Sequence, residues 1–402
     1  IVAHHADECV GCQYCMWNCP YEVPVFNKAR KIVSKCDMCR PRLEQGESPA
    51  CVLACPTSAI GVEKVDVAAW RDDHSAADGP GLPPADITLS TTRLILPDNL
   101  PADVVAVNAH RVQPEDPHWP LIVLTLLTQL SMGAVASTVL LQIGGAGRGG
   151  LAGAALGAFV AGAVALTASL LHLGQPGRAL KALRNLRTSW LSREVALFSA
   201  FSLLSFGYAA SWLGGADGRN LRGGALGLTA AALGAAGVYA SARLYLVPAR
   251  PVWNSRRTVV AFFATAASTG PLLALLSLDR SRLQPGWIVA LLAVSGTGAL
   301  MQLAVQAHLL AAVRRRTDPQ HQGTAELLLG TFGTLFSARL LAPLIGIVLL
   351  VSAATAPVAG NASGGRLVVA LAVLALGELA GRYLFYVTVV PYRVAGSFFG
   401  RR

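Results

Sequence analysis

The sequence predicts a small α+β ferredoxin-like 4Fe-4S domain at the N-terminal end, followed by an all-α membrane bundle of eight transmembrane helices. Two observations predict this fold class. All eight cysteines of the 402-residue chain lie between residues 9 and 55. Eight later segments are apolar and long enough to cross a bilayer, which takes about 20 residues each. Charged residues make up only 14% of the chain, whereas a soluble domain carries about 25%.

Three regions follow from the composition along the chain. We assign residues 1–64 to the cysteine-rich domain, 65–117 to an extended polar linker rich in Pro and Asp, and 118–395 to the eight-helix membrane anchor. Residues 1–117 carry a net charge of −6 and residues 118–402 a net charge of +17. The acidic N-terminal region and the basic membrane region together exclude a nucleic-acid-binding protein, so no nucleic-acid partner is expected.

The cysteines form two runs that each end in Cys-Pro. The runs are Cys9, Cys12, Cys15 and Cys19, then Cys36, Cys39, Cys51 and Cys55. The first has the spacing of bacterial iron–sulfur proteins, in which the fourth cysteine ligates the other cluster. A self-contained domain would hold two 4Fe-4S clusters, one on Cys9, Cys12, Cys15 and Cys55 and one on Cys36, Cys39, Cys51 and Cys19. Zinc also binds paired cysteines, but the two runs ending in Cys-Pro favour iron.

The apolar segments that follow predict helices, because backbone groups in lipid must be satisfied within the segment. They are 119–142, 151–172, 194–213, 223–246, 258–278, 286–312, 338–357 and 366–390. An even number of spans places both ends of the bundle on the side of the cysteine-rich domain. We assign 17 Lys and Arg residues, Arg339 among them, to that side and 6 to the far side. The positive-inside rule then predicts an inner (cytoplasmic) membrane protein with a cytoplasmic iron–sulfur domain. A periplasmic domain docked by these arginines is the alternative.

The cysteine-rich region resembles a known family. Residues 9–60, with Lys35-Cys-Asp-Met-Cys39 and Ala54-Cys-Pro-Thr-Ser-Ala59, are similar to the second half of the four-cluster electron-transfer subunits of the DMSO reductase family of molybdopterin oxidoreductases. Because Ile1 falls inside a motif, we expect a preceding part of the chain and up to four clusters. The resemblance then implies Cys9, Cys12 and Cys15 on one cluster and Cys19 on a second. It implies Cys36, Cys39 and Cys51 on a third and Cys55 on a fourth.

The membrane region resembles the anchor subunit of the same family, here fused to the iron–sulfur part. The resemblance rests on His118-Trp-Pro-Leu121, residues 171–179 (LHLGQPGRA), residues 185–194 (NLRTSWLSRE), Arg243-Leu-Tyr245 and residues 377–382 (GELAGR). It implies electron transfer from membrane quinol or menaquinol through 4Fe-4S clusters to a separate catalytic subunit with molybdenum or tungsten on bis-MGD. The implied partners are that subunit, membrane lipid and the quinone pool. The same path run in reverse would reduce quinone.

Ionisable groups inside a membrane are costly and usually functional. His172, at the end of the second span, can bond a quinol hydroxyl and accept its proton, and the resemblance implies a quinol site there. The other candidate quinol-site residues are Arg178, Arg243, Tyr245, Glu378 and Arg382. Other roles remain open: His172 bonded to a backbone carbonyl, Arg178 facing anionic lipid, Tyr245 in an aromatic belt, and a Glu378–Arg382 ion pair at i,i+4.

Three other hypotheses are weighed against this one. An ion-translocating module like that of polysulfide reductases would need a line of carboxylates, and only Glu378 is assigned to the inside of a span. A structural anchor with an inactive quinol site would be insensitive to replacement of His172. Two histidines on different helices, such as His172 and His308, can bind haem, but the family that the chain resembles carries none, so we expect none.

Overall fold

The N-terminal region and the membrane bundle form separate compact units in this computed structural model. It describes residues 3–72, 82–90, 92–95, 98–99, 112–145, 151–213, 221–278, 280, 283–355 and 361–392. One unit comprises Ile1–Val112, Val247–Pro251 and Pro391–Arg402. The other comprises Gln113–Leu246 and Val252–Val390.

The first unit contains a two-stranded antiparallel sheet and short helices. Its elements are α1 (Tyr14–Asn18), β1 (Val25–Asn27), β2 (Ile32–Ser34), α2 (Arg40–Glu44), α3 (Ala50–Ala54) and α4 (Val67–Asp72). Strand β1 pairs with β2 around a tight turn, with Phe26 opposite Val33. Between residues 3 and 72, the buried large apolar side chains are Trp17, Ile32 and Val33. A core this small needs metal or cross-links to be stable. The predicted α+β ferredoxin-like domain is confirmed.

The second unit is built from long helices. They are α5 (Trp119–Ile143), α6 (Leu151–Leu170), α7 (Trp190–Leu213), α8 (Leu221–Leu244), α9 (Arg256–Leu276), α10 (Pro285–Arg315), α12 (Gly333–Ala354) and α13 (Asn361–Val387). Among the described residues, these eight are long and apolar enough to cross a membrane. The prediction of eight spans is therefore confirmed, with bounds shifted by a few residues. A 3₁₀ helix (Pro176–Asn185), α11 (Pro319–Glu326) and a π-helical turn (Leu327–Thr331) connect some of them.

Small residues allow the central helices to pack closely. A Cβ atom added to Gly270 in α9 would lie 2.3 Å from the carbonyl carbon of Gly133 in α5. One added to Gly298 in α10 would lie 2.4 Å from the amide nitrogen of Ser268. Close backbone approach at small residues is how membrane helices gain packing energy without a hydrophobic driving force between them.

Contacts between helix ends define one end of the bundle, here called the proximal end. The amide of Glu115, just before α5, donates to the carbonyl of Val387, where α13 ends. The indole of Trp253, just before α9, donates to the carbonyl of Phe385 at 2.8 Å. The ring of His118, just before α5, lies against that of His172, just after α6. The starts of α5 and α9 and the ends of α6 and α13 therefore meet at the proximal end.

Candidate functional site

The cysteine loops have features suited to metal-bound thiolates. All eight cysteines are free of disulfides. Residues in the left-handed region turn the chain tightly beside the sulfurs, including Gly11 (φ 71°) and Gln13 (φ 60°) on either side of Cys12. The amide of Met38 donates to Sγ of Cys36 at 3.4 Å. Amide hydrogen bonds to sulfur stabilise thiolate ligands and tune the potential of a cluster.

Cys55 is the clearest case of a thiol whose surroundings favour the thiolate form. Its Sγ lies 3.6 Å from the hydroxyl of Thr57 and accepts from the amide of Ala59 at 3.2 Å. The Thr57 hydroxyl and neighbouring amides hold the pKa of the Cys55 thiol below its ordinary value. This favours the thiolate, which is the form that binds metal.

The donor set consists of the residue type that iron–sulfur clusters use. Within the described part of the chain, no three His, Cys, Asp or Glu side chains converge closely enough to hold one ion. A cubane cluster holds its thiolates at its outer corners, farther apart than the ligands of a single ion. Eight thiols in two runs supply the all-cysteine ligation that such clusters use.

Two histidines and two tyrosines meet at the proximal end, and we call them the histidine–tyrosine cluster: His118, His172, Tyr245 and Tyr386. The ring of His118 lies 5.3 Å from that of His172 and 6.0 Å from that of Tyr386, edge to face in both cases. The hydroxyl of Tyr386 is hydrogen-bonded to that of Tyr245. Both histidines are half-buried and both tyrosines are buried. Imidazole and phenol groups in contact can bind and relay protons.

The surroundings of Tyr245 keep its phenol neutral. Burial, with further contributions from Tyr386 and Glu194, raises the pKa of Tyr245 well above its ordinary value. A neutral phenol can donate a hydrogen bond to a bound ligand or to Tyr386. Glu194, from α7, is itself buried.

A second polar group, which we call the arginine–glutamate cluster, lies within the bundle. It comprises Glu378, Arg339, Gln302, Thr265, Arg382 and Gln129, all of them buried. Nη2 of Arg339 donates to Oε1 of Glu378 at 2.9 Å and to Oε1 of Gln302 at 2.8 Å. Oε2 of Glu378 accepts from Thr265 at 2.7 Å and from Gln302 at 3.1 Å. The carboxylate is therefore bonded through both oxygens.

The i,i+4 ion pair between Glu378 and Arg382, one of the alternatives that the sequence left open, does not form. Glu378 pairs instead with Arg339 from the adjacent helix α12. Nη2 of Arg382 donates to Gln129 at 2.7 Å and to Thr265 at 3.1 Å. Its guanidinium also lies 3.9 Å from the ring centre of Phe262. These partners lie on α5, α9 and α12. The packing of neighbouring helices therefore determines which side chains bond to Glu378 and Arg382.

A cavity adjoins the arginine–glutamate cluster. It is partly open to the outside, and the volume in which the centre of a water molecule fits is about 80 Å³. Arg339, Arg382, Gln302 and Glu378 lie among its lining residues. Its remaining lining comes from α9, α10, α13 and the segment between α10 and α12, and includes Trp253 and Phe385. His172 does not line it.

The remaining sequence candidates lie elsewhere around the proximal end. The guanidinium of Arg243 packs 5.0 Å from the ring centre of Trp190, and that of Arg193 packs 4.4 Å from the same ring. Arg178 lies half-buried on the 3₁₀ helix that follows α6. His308 is exposed on α10, and its carbonyl accepts from Arg257 at 3.3 Å.

Sequence reasoning missed several buried polar residues. It assigns Arg339 to the loop charges, yet this residue lies inside the span Gly333–Ala354 and is 3% exposed. It also treats Glu378 as the only carboxylate inside a span. Glu194 lies within the span Trp190–Trp212 and is buried as well. In both cases, the signal in the sequence was a charged residue inside an apolar run.

Comparison with known families matches both parts of the chain. Residues 115–387 match the model of the DMSO reductase anchor subunit (DmsC) family. Residues 1–65 match the model of the 4Fe-4S dicluster domain.

Three curated relatives each match a short stretch of the chain, 60–80 residues long. The sequence is 39% identical over 80 residues to one subunit of the anaerobic dimethyl sulfoxide reductase of Haemophilus influenzae, covering 20% of this protein and 38% of the relative. It is 48% identical over 67 residues to Protein NrfC of Escherichia coli, covering 16% and 30%. It is 45% identical over 60 residues to the nitrate-inducible formate dehydrogenase iron–sulfur subunit of Escherichia coli, covering 15% and 20%. The matched part spans well under half the length of these relatives.

Proposed function

Since the chain belongs to the family of DMSO reductase anchor subunits, fused here to a 4Fe-4S dicluster domain, we propose that it transfers electrons from membrane quinol to iron–sulfur clusters. The observation that carries the proposal is the contact between His118 and His172 beside Tyr386 at the proximal end. Groups that bind and take up protons are needed wherever a quinol is oxidised, because each quinol releases two protons with its two electrons.

His172 is the residue that we propose takes the first proton. A ring nitrogen of its imidazole can accept a hydrogen bond from a quinol hydroxyl and then the proton itself. The half-buried position of His172 gives a proton a route to solvent, whereas a fully buried imidazolium would be costly. His118 lies against it and can receive the proton in turn.

Tyr386 and Tyr245 orient the ligand in this proposal. Their hydroxyls are bonded to each other, and a phenol of such a pair can also donate to a quinol oxygen. Trp253, Phe262 and Phe385 pack around Tyr245 with ring centres 5.2–5.7 Å away. This aromatic wall limits water around the phenols and keeps their hydrogen bonds strong.

The thiolates of the N-terminal domain would hold the clusters, which supply one-electron acceptors. A self-contained pair would use Cys9, Cys12, Cys15 and Cys55 for one cluster and Cys36, Cys39, Cys51 and Cys19 for the other. The amide and hydroxyl donors around Cys36 and Cys55 would lower the charge density on sulfur and raise the reduction potential. Menaquinol or a related quinol is the proposed donor.

The chain completes an enzyme rather than performing the terminal reaction. Relatives of its iron–sulfur part are named as one subunit of a reductase and as the iron–sulfur subunit of a dehydrogenase. We therefore propose a separate molybdopterin catalytic subunit as the partner, holding molybdenum or tungsten. For the location, we propose the inner membrane with the cysteine-rich domain in the cytoplasm, because lysine and arginine prefer cytoplasmic loops.

Replacement of His172 tests the proposed site. In the purified anaerobic chain, His172→Gln keeps a polar side chain but removes the group that takes the proton. We expect reduction of the clusters by menadiol, followed by stopped-flow absorbance, to slow by about 10²-fold or more. His308→Gln is the matched control, because His308 is exposed on α10, and its rate should stay at the wild-type value.

Dithionite reduction of the same samples checks that the clusters are intact. A His172→Gln chain that menadiol reduces at the wild-type rate would contradict the site and favour an inert anchor at this position.

A further inference from the structure

Cys55 begins a tight turn that folds back onto its own sulfur. Helix α3 ends at Ala54, and the amide of Ser58 donates to the carbonyl of Cys55 at 3.3 Å. Pro56 occupies the second position of this turn, where the fixed φ of proline is favourable. Ser58 is in the left-handed region, with φ 52°, and the next amide, that of Ala59, donates to Sγ of Cys55 at 3.2 Å. The turn therefore brings a backbone donor to the sulfur.

The side chain of Thr57, inside the same turn, supplies a second donor. Its Oγ1 lies 3.6 Å from Sγ of Cys55. A thiol could donate to this hydroxyl, but a sulfur bound to iron is a thiolate and has no proton. In the iron-bound state the hydroxyl is therefore the donor. Threonine is branched at Cβ, which restricts its χ1 rotamers and limits how far the hydroxyl can turn away.

A hydrogen bond to a ligating sulfur stabilises the two oxidation states of a cluster unequally. Reduction adds one electron, and part of that negative charge spreads onto the thiolates. A donor at the sulfur stabilises the more negative, reduced form more strongly and therefore raises the reduction potential. Because the side chain of Thr57 is exposed, water competes for its hydroxyl, and we expect a moderate effect.

We propose that the hydroxyl of Thr57 donates to the iron-bound sulfur of Cys55 and raises the reduction potential of the cluster that Cys55 ligates. This role requires no particular pairing of the two cysteine runs, because the hydrogen bond belongs to Cys55 whichever cluster it serves. It rests on the clusters of the proposed function but not on the quinol site. A higher potential makes this cluster a more favourable acceptor for an electron that arrives from a quinol.

The test is a redox titration of the purified, anaerobic full chain, followed by electron paramagnetic resonance of the reduced clusters. Thr57→Val keeps the branched shape of the side chain but removes the hydroxyl, whereas Thr57→Ser keeps the hydroxyl. Ser58→Ala is the matched control, because it removes the neighbouring hydroxyl and keeps the backbone bond from Ser58 to Cys55. Iron, acid-labile sulfide and full reduction by dithionite show that the clusters are present in each sample.

We expect Thr57→Val to lower the equilibrium constant for reduction of one cluster by about threefold to tenfold, because it loses one hydrogen bond to a charged group. This change is a fall in midpoint potential of about 30–60 mV for a one-electron couple. Thr57→Ser should shift the potential by less than half as much, and Ser58→Ala should leave it unchanged. Electron–nuclear double resonance in H2O and D2O should show that Thr57→Val alone loses an exchangeable proton coupled to the reduced cluster.

Thr57→Ala, which also lacks the hydroxyl, decides the question if Thr57→Val does not assemble its clusters. Midpoint potentials equal to those of the wild type in the hydroxyl-free variant, with the clusters intact, would overturn the proposal. So would an equal shift in Ser58→Ala, which would show a general effect of altering the turn. Dithionite reduces the clusters without a quinol, so these results do not bear on the quinol site. Absence of iron and sulfide from the wild type would instead contradict the proposed function, and the role of Thr57 with it.

Discussion

The two polar clusters of the membrane bundle differ in how their groups can handle protons. The histidine–tyrosine cluster has two half-buried imidazoles next to two buried phenols. The arginine–glutamate cluster has charged side chains at most 4% exposed and bonded to one another. Imidazole and phenol groups lie at the bundle end, whereas the buried ion pair of Arg339 and Glu378 lies inside. A buried ionisable residue, taken alone, therefore does not identify a proton-transfer site.

Breaking the ion pair of the arginine–glutamate cluster should have the largest effect on stability. Arg339→Met leaves the carboxylate of Glu378 buried without its cation, which costs about 3–5 kcal/mol of the free energy of unfolding. The matched control is Arg40→Met, because the Arg40–Glu44 pair is exposed and contributes about 0–1 kcal/mol. Chemical unfolding in detergent measures both. If Arg339→Met lowered the free energy of unfolding as little as Arg40→Met does, the prediction for the buried pair would be contradicted.

Separating α5 from α9 should disturb the arginine–glutamate cluster, to which both helices contribute. The two helices carry Gln129 and Thr265, which bond the same guanidinium. A Cβ on Gly133 would lie 2.2 Å from the carbonyl oxygen of Ala266, so Gly133→Ala should cost about 1–3 kcal/mol through overpacking. Gly157→Ala is the control, since its Cβ would meet only the hydroxyl of Ser277 at 3.4 Å. Equal melting temperatures of Gly133→Ala and Gly157→Ala would contradict the close packing of α5 against α9.

Removing the hydroxyl of Tyr245 should have a smaller effect, confined to the histidine–tyrosine cluster. Tyr245→Phe loses the hydrogen bond to Tyr386 and should cost about 1 kcal/mol. Because burial raises the pKa of Tyr245 in the folded state, its stabilising contribution is full below the unfolded pKa of about 10 and is lost as pH rises further. The variant should therefore lose less stability between neutral and alkaline pH than the wild type. An identical alkaline slope in the two proteins would contradict the assignment.

The smallest effect concerns a charged residue outside both clusters. Asp318 caps α11 and accepts from the ring of His321 at 2.7 Å. Partial burial would raise the pKa of Asp318, but the hydrogen bonds from His321 outweigh it and lower the pKa. Its contribution is therefore present above the unfolded pKa of about 3.9 and is lost as pH falls below that value. Asp318→Asn keeps a capping oxygen and should cost at most about 1 kcal/mol. Unfolding curves that show more acid sensitivity in Asp318→Asn than in the wild type would contradict this.

The long-range organisation of this protein could be predicted because each signal is local in sequence. Apolar runs of about 20 residues predict spans wherever they occur, and the Cys-Pro runs predict cluster ligation from spacing alone. The sequence also places His172 at the end of a span. Its contact with His118 depends on how two helices approach each other, so the sequence could not predict it.

The partner of Glu378 could not be predicted for the same reason. The i,i+4 spacing permits a bond to Arg382, but it says nothing of Arg339 on the next helix. That arginine lies six residues after α12 begins, close enough to the end of the apolar run to resemble a loop charge. Its position inside that run indicated burial, but its partner could be identified only from helix packing.

Electron transfer from a quinol to the clusters is tested most directly by electron paramagnetic resonance of the anaerobically purified chain after addition of menadiol. We predict that iron and acid-labile sulfide are present, and that menadiol alone produces the spectrum of reduced 4Fe-4S clusters. The opposite result is a chain that contains iron and sulfide and gives this spectrum with dithionite, but remains oxidised with menadiol. That result would contradict the proposal that this bundle passes electrons from a quinol to the clusters.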